Sequence, residues 1–435
     1  MMPAPEVVLE RYRRLVIVVR ADPVICGHSV EARNIAEAAL QRGFTDVRIL
    51  SWPLDRLEAA GLPLKPLDGV QPYSPGITVE RPEPVGDYRV VDGRWYAGLV
   101  GRLVELFTDG IPTICLSLYL SPHTTAVTDA LTVAQRVGLP LDVLTIAEAV
   151  GSDITNVIRD CVEKDRYGAA VHLLSAYLTN DCVLAVSRYT KELIVAEAAE
   201  LDARHGTSFA YECRRRIQVS YPALDTASYR SIPLAEADAV MARRGLAGER
   251  YVLFLSRLVK AKGIADLIAG YERSGISDQV RLIIAGQGPQ EMQVRDMAAA
   301  SPLAERITVL TDVDDDEKPA LMRGCTAFVL PTLPRPEFVE TFGIALVENM
   351  LAGGGPVITT ETGGVPEAVG DTALIVPVSD PDAIAAALRS VVAMTQEEWV
   401  AHSNKAVDYA LQFDRAVVLD TMLGYLTHSL EGVAC

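Results

Sequence analysis

The chain has 435 residues, 49% hydrophobic and 22% charged, which is enough apolar content and length for two domains of roughly 200 residues each. The net charge is −17, and Lys and Arg are scattered apart from the short runs Arg11-Tyr-Arg-Arg14 and Arg214-Arg-Arg216. That balance argues against nucleic acid or an anionic membrane as partner. No segment approaches the ~20 uninterrupted apolar residues of a membrane span, and Met1-Met-Pro-Ala-Pro-Glu6 carries no basic region followed by an apolar stretch. A cytoplasmic enzyme is the expectation.

In chain order, Leu15–Val19 is a β-branched apolar run of the kind buried in a parallel sheet. A loop from Ala21 to Gly27 follows, then a helical pattern from Val30 to Gln41. Strand signals recur at Val47–Leu50, Pro112–Leu116, Leu141–Thr145 and Cys182–Val186, with helical stretches at Ala126–Val137 and Lys164–Thr179. Pro222 to Glu236 is polar, turn-rich and without periodicity. The pattern then restarts with Tyr251–Leu255, Val280–Ala285, Ile307–Leu310, Ala327–Leu330, Pro356–Thr359 and Ala373–Val376. Such alternation predicts an α/β fold of two doubly wound halves, residues 1–232 and 233–414, facing across a cleft with the ligand between the carboxyl ends of their strands. A helix from Arg415 to Leu430, within a tail of residues 415–435, is expected to cross back to the first half.

The seven cysteines, Cys26, Cys115, Cys161, Cys182, Cys213, Cys325 and Cys435, are odd in number and lack metal-ligand spacing. They read as reduced thiols, with Cys115, Cys182 and Cys325 as small core residues.

The densest chemical signal is Glu340-Thr-Phe-Gly-Ile-Ala-Leu-Val-Glu348. Gly343 lets the backbone approach a ligand, and the start of the helix that follows offers bare N–H groups and a positive dipole end to a diphosphate. Carboxylates beside a phosphate suit a neutral hydrogen-bond donor, and sugar hydroxyls are such donors. A nucleotide diphosphate sugar is therefore the expected ligand. The run Asp312-Val-Asp-Asp-Asp-Glu317 sits between a strand and the helix Pro319–Arg323, where acidic groups meet the helix dipole favourably. We expect no metal there.

Four segments of the second half carry a family resemblance. Leu255-Ser-Arg-Leu-Val-Lys-Ala-Lys-Gly263 resembles a Gly-Arg-Leu-x4-Lys-Gly segment, and Ile283-Ile-Ala-Gly-Gln-Gly-Pro289 resembles a strand ending in Gly-x-Gly-Pro. Glu340 to Glu348 resembles a pair of spaced glutamates, and Gly363-Gly364-Val-Pro-Glu367 resembles Gly-Gly-x-x-Glu. Together they resemble the large retaining family 4 of nucleotide-sugar glycosyltransferases, whose two-Rossmann-domain architecture is called GT-B.

The resemblance implies a retaining, metal-independent transfer of a sugar from a GDP- or UDP-linked donor to a small soluble acceptor, with no cofactor. Arg257 and Lys262 would neutralise the departing diphosphate, Glu340 would contact donor sugar hydroxyls and Glu348 the ribose. Gly286 and Gly288 would approach the base, and backbone N–H groups at Phe342, Gly343, Ile344 and Ala345 would cradle the phosphates. In the first half the family's Gly-Gly pair is replaced by Cys26-Gly27-His28-Ser29, with Gly27 keeping the tight turn and Cys26 and His28 near the acceptor. The family's histidine after the strand Leu141–Thr145 is missing; His123 or, more weakly, Glu148 is expected to act in its place. Actinobacterial antibiotic pathways come to mind, with an aminocyclitol acceptor or the thiol of ergothioneine and a GDP-octose donor. A nucleotide-sugar epimerase or hydrolase of the same architecture and a non-catalytic sugar-nucleotide binder stay open, as does a homodimer.

Overall fold

The computed structural model describes residues 6–336 and 338–433; Cys435, Glu337 and the first five residues lie outside them. The chain divides into two compact units, residues 1–224 with 415–435 and residues 225–414.

The first unit holds a seven-stranded sheet of β1 (Arg14–Val18), β2 (Asp46–Leu50), β3 (Ile77–Glu80), β4 (Thr113–Leu118), β5 (Val143–Ala149), β6 (Cys182–Ala185) and β7 (Ile217–Val219), in the order β3-β2-β1-β4-β5-β6-β7. All of its pairings are parallel. Both faces are covered, which is why its central strands read as unbroken apolar runs. On β1, Leu15 and Ile17 join a core with the helix Gly27–Gln41 and the helix Arg415–Val433, while Val16 and Val18 face Trp95, Leu99 and Leu103. The helix Arg415–Val433 contributes Val418, Leu419, Met422, Leu423 and Leu426 to the first of these cores.

The second unit repeats the plan with β8 (Tyr251–Leu255), β9 (Arg281–Ala285), β10 (Ile307–Leu310), β11 (Ala327–Leu330), β12 (Val357–Thr360) and β13 (Leu374–Val376), in the order β10-β9-β8-β11-β12-β13 and again all parallel. Each sheet thus reverses strand order once, between β1 and β4 and between β8 and β11. In doubly wound sheets ligands gather at the carboxyl ends of the strands beside such a switch point. The two-sheet α/β architecture expected from the alternation is present.

Four local expectations are corrected. Strands β3 and β7 were not anticipated: both are short edge strands, and their mixed burial hides the apolar run that marks a central strand. The stretch Lys164–Thr179 is not one helix; Arg159–Glu163 and Tyr167–Thr179 are separate, because Asp165 is left-handed (φ 54°) and breaks the ladder. The first long helix starts at Gly27, so Gly27 opens a helix and makes no left-handed turn, and Cys26 occupies the capping position. Finally, β5 runs on to Ala149, which puts Glu148 inside the strand and not in a loop after Thr145.

Candidate functional site

In the second unit, β8 feeds directly into a loop that carries Arg257 and then a single tight turn, Lys260–Lys262. Gly263, left-handed at φ 67°, ends that turn and starts the helix Ile264–Ser274. Arg257 is exposed and its guanidinium has no partner among the described residues. Lys262 is 7% exposed, and its ammonium is paired with the Glu340 carboxylate. The same ammonium lies 5.1 Å from the centre of the Phe338 ring. A cation and an anion separated by 78 residues are thereby brought together at the ends of β8 and β11.

The segment after Glu340 is shaped by close backbone approaches. Gly364 donates its N–H to the Glu340 carbonyl at 2.9 Å, and a Cβ on Gly364 would stand 1.9 Å from the Thr341 carbonyl oxygen. The Gly-Gly step therefore lets the β12 loop lie against the Glu340 loop. Gly343 has φ 104°, a conformation closed to most side chains, and it caps the helix Ile344–Leu351. Ile344 and Ala345 are half-buried at the first turn of that helix, where N–H groups have no intrahelical acceptor. Phe342 is buried, with its ring edge-on to Phe413 at 5.1 Å, so its side chain serves packing.

Glu348 is the fifth residue of this helix and is 6% exposed. One carboxylate oxygen accepts a 2.6 Å hydrogen bond from the Tyr229 hydroxyl. Burial and the adjacent Glu348 charge hold the Tyr229 phenol protonated, well above the usual range. Lys318, ion-paired with Asp315 at 3.0 Å, also feels the Glu348 charge. Neither Tyr229 nor Lys318 belonged to any motif in the sequence. Gly286 and Gly288 stand after β9, but the backbone each admits is the protein's own: added Cβ atoms would fall 1.9 Å from the Ser256 carbonyl oxygen and 2.5 Å from that of Leu258. These glycines seat the β9 loop on the β8 loop that carries Arg257.

The acidic run is occupied by arginines. Glu317, 2% exposed, accepts from both Arg243 and Arg244, Asp312 accepts from Arg244 at 2.8 Å, and Asp314 takes the Glu317 N–H at 2.8 Å.

In the first unit, His123 lies in the turn Leu120–Thr124 after β4 and is 1% exposed. Its Nδ1 is 2.6 Å from the Leu118 carbonyl and its Nε2 accepts from the Trp52 indole at 3.2 Å. The indole can only donate, so the ring is the neutral Nδ1–H tautomer with both nitrogens engaged. Burial lowers its pKa to about 3. Around it stand Tyr119, with His28 and Arg20 on that ring at 6.2 and 5.6 Å. Burial, then Arg20, lowers His28 to about 4. Cys26 is a free thiol whose pKa is raised by burial, so it is not a ready nucleophile. The other described cysteines, Cys115, Cys161, Cys182, Cys213 and Cys325, are buried free thiols.

Glu148 is fully buried near the end of β5, and neither carboxylate oxygen has a hydrogen-bond partner among the described residues. Burial, the nearby Glu31 and Asp153 push its pKa well above the usual carboxylate range. His28, Tyr119 and His123 form one ring cluster, whereas Glu148 belongs to a separate polar group taken up below.

Residues 239–409 match the family model described as glycosyl transferases, group 1. The match lies wholly in the second unit and covers less than half of the chain. The chain is 31% identical over 218 residues to a GDP-mannose-dependent phosphatidylinositol monomannoside mannosyltransferase of Mycolicibacterium smegmatis, covering 49% of this chain and 53% of that one. It is 33% identical over 154 residues to a glycogen synthase of Mycobacterium tuberculosis, covering 35% and 36%. The chain spans about half the length, or less, of the curated relatives it matches. Across nearly the full length, its fold is that of an Anabaena protein solved in complex with UDP and glucose, with TM-score 0.67 at 17% identity, covering 97% of this chain and 100% of that one. Sucrose-phosphate synthase of Thermosynechococcus elongatus gives TM-score 0.63 at 19% identity, covering 97% and 100%. The GT-B fold is common to these structures and this chain. Among the described residues no helix is long and apolar enough to cross a membrane.

Proposed function

We propose that this protein is a retaining glycosyltransferase that moves a sugar from a nucleoside diphosphate to a small acceptor without a metal ion. The observation that carries the reading is the convergence, within one unit and at the carboxyl ends of its strands, of the paired Lys262 and Glu340 with an open helix start that also bears Glu348. Cations and helix N–H groups suit the charge that grows on a departing diphosphate, and they act without reorganising. Arg257, exposed and without a partner among the described residues, supplies a second cation. The Glu348 carboxylate, oriented by Tyr229, is suited to a ribose hydroxyl, and Glu340, held by Lys262, to a hydroxyl of the sugar.

In the reaction, the bond from the anomeric carbon to the phosphate oxygen breaks and the bond to the acceptor forms on the same face. The acceptor's proton passes to the departing phosphate oxygen, so no protein base is required. This suits the geometry, since His123 has both nitrogens engaged and a pKa near 3. His123, with Trp52 and Tyr119, serves as a neutral wall of the acceptor site. The names of the relatives favour a GDP or UDP donor, and a soluble natural-product acceptor fits the scarcity of basic surface. The test is a melting-temperature panel with GDP, UDP and ADP, since a ligand that binds the native state alone raises stability by mass action. One diphosphate is expected to raise the midpoint in wild type and not in Glu348→Gln. No shift with any of the three would sink the donor reading.

A further inference from the structure

The inward stripe of the helix Gly27–Gln41 begins with Ser29 and Glu31 and continues one turn later as Ala32, Ile35, Ala36 and Ala39, which pack into the apolar core on one face of the first sheet. Glu148 faces that same side: it is in register with Leu184 on β6, and both Leu184 and Ile146, two residues before Glu148, belong to that core. Ser220 follows β7 with the same parity as Gln218, the register partner of Leu184. Three residues on, the Ala223 carbonyl accepts from Asn34 at 2.9 Å, and the Ala223 backbone acts on the Glu31 carboxyl in the direction that lowers its pKa. The carboxyl edge of β5 to β7 and the first turn of the helix therefore bring Ser29, Glu31, Glu148 and Ser220 into one buried polar cluster, hereafter the pocket, above an apolar core.

What marks this pocket is that it is unsatisfied. Ser29 Oγ, Glu31 Oε1, both Glu148 oxygens and Ser220 Oγ are buried and have no hydrogen-bond partner among the described residues, and the four residues are at most 2% exposed. Buried carboxyls normally come with an arginine, a lysine or a cluster of N–H groups, because an unpaired charge in a dry interior costs several kcal/mol. The charged neighbours acting on Glu148 are Glu31 and Asp153, both acidic, and Asp153 is already held by the N–H groups of Leu120, Val150 and Gly151. With nothing to neutralise them, burial holds both glutamates in the protonated form, Glu31 up to about 8. Among the described residues no cation stands beside either carboxyl, so a basic guest that takes up a carboxyl proton finds negative charge and acceptor oxygens there.

We propose that the pocket formed by Ser29, Glu31, Glu148 and Ser220 receives an organic ammonium group. This deepens the glycosyltransferase reading, on which it rests for naming the acceptor as the molecule that brings the cation. A second buried carboxyl makes a cation a better fit than a neutral hydroxyl, because one carboxylate pairs with the charge while the other groups take its N–H bonds. A metal ion fits less well, since no group of three or more metal-ligating side chains gathers here among the described residues.

The test pairs each cation with a neutral isostere: glucosamine with glucose, ethanolamine with ethylene glycol, and choline with 3,3-dimethylbutanol. Melting temperatures and calorimetric affinities are measured on the full chain at neutral pH, in wild type, Glu148→Gln and Glu31→Gln. In at least one pair the cation is expected to stabilise wild type more than its isostere and to bind at least tenfold more weakly to both variants; the choline arm tells a quaternary head from an N–H donor. The proposal is overturned if no pair shows a preference, if the preference survives both substitutions, or if Mg²⁺ or Ca²⁺ alone gives the same shift. GDP and UDP run in parallel on wild type keep the two readings apart. Cation preference without nucleotide binding sinks sugar transfer alone, and nucleotide binding without cation preference sinks the pocket alone.

Discussion

The second unit's buried acids are answered from within: Glu340 by Lys262, Glu348 by Tyr229, and Glu317 by Arg243 and Arg244. In the first unit some acids are answered in the same way, Asp22 by Arg33 and Glu80 by Arg48 and Arg102. Arg14, 1% exposed at the start of β1, is shared by Asp46, Asp109 and the Leu106 carbonyl at 2.8 to 2.9 Å. At the opposite, carboxyl edge, Glu31 and Glu148 are buried with no ion-pair partner among the described residues. The difference teaches that pairing within the chain and pairing left for a ligand leave different marks in a fold. The first shows as a completed ion pair, the second as orphaned oxygens at the edge where ligands enter.

Several measurements break or sharpen this contrast. Arg14→Ala strips the cation from a completed buried group, and about 3 kcal/mol of unfolding free energy is expected to go, read from urea midpoints. Loss of less than 1 kcal/mol would mean that the amino-edge pairs contribute little. Lys262→Ala removes a cation assigned to the leaving group; turnover is expected to fall about a hundredfold while a single unfolding transition persists. A well-folded variant with unchanged turnover would separate Lys262 from the chemistry.

The orphaned edge is expected to show in pH. The folded pKa of Glu31 is near 8 against 4.5 for the free group, so between those values the native state holds a proton that the unfolded chain releases. Native stability therefore falls as pH rises through that window, by at most about 1.4 kcal/mol per pH unit for one group. Glu31→Gln is expected to flatten the dependence, and an unchanged slope would place the titration elsewhere. The smallest effect is that of Tyr229→Phe, which removes one hydrogen bond to Glu348. Nucleoside diphosphate affinity is expected to weaken about fivefold with native stability nearly intact, as calorimetry would show.

The two-sheet architecture was legible because central parallel strands are apolar on both faces, and β8 and β11 show this over their whole length and β1 from Leu15 on. Strands β3 and β7 were not, because edge strands carry no such run. In the candidate site, Glu340 and Glu348 could be singled out from spacing and Lys262 through the family resemblance, but Tyr229, which holds Glu348 from 119 residues away, could not. Gly286 and Gly288 were visible as glycines; that they admit the β8 loop follows from distances that no spacing encodes. Glu148 looked like a loop residue because Ile146-Ala-Glu-Ala149 lacks the uniform apolar character of a buried strand. The glutamate that disguised the strand is the residue on which the proposed ammonium site turns.

The chain leaves the first unit at Leu224 and rejoins it at Arg415, whose N–H meets the Leu224 carbonyl at 2.8 Å, and the returning helix fills part of the first unit's core. In topological terms the second unit is an insert whose entry and exit touch. An exchange of donor modules between relatives would need two junctions, one at each side of that contact. A simple truncation after Leu224 would instead discard Leu419, Met422 and Leu426 and leave the remaining sheet with an open apolar face.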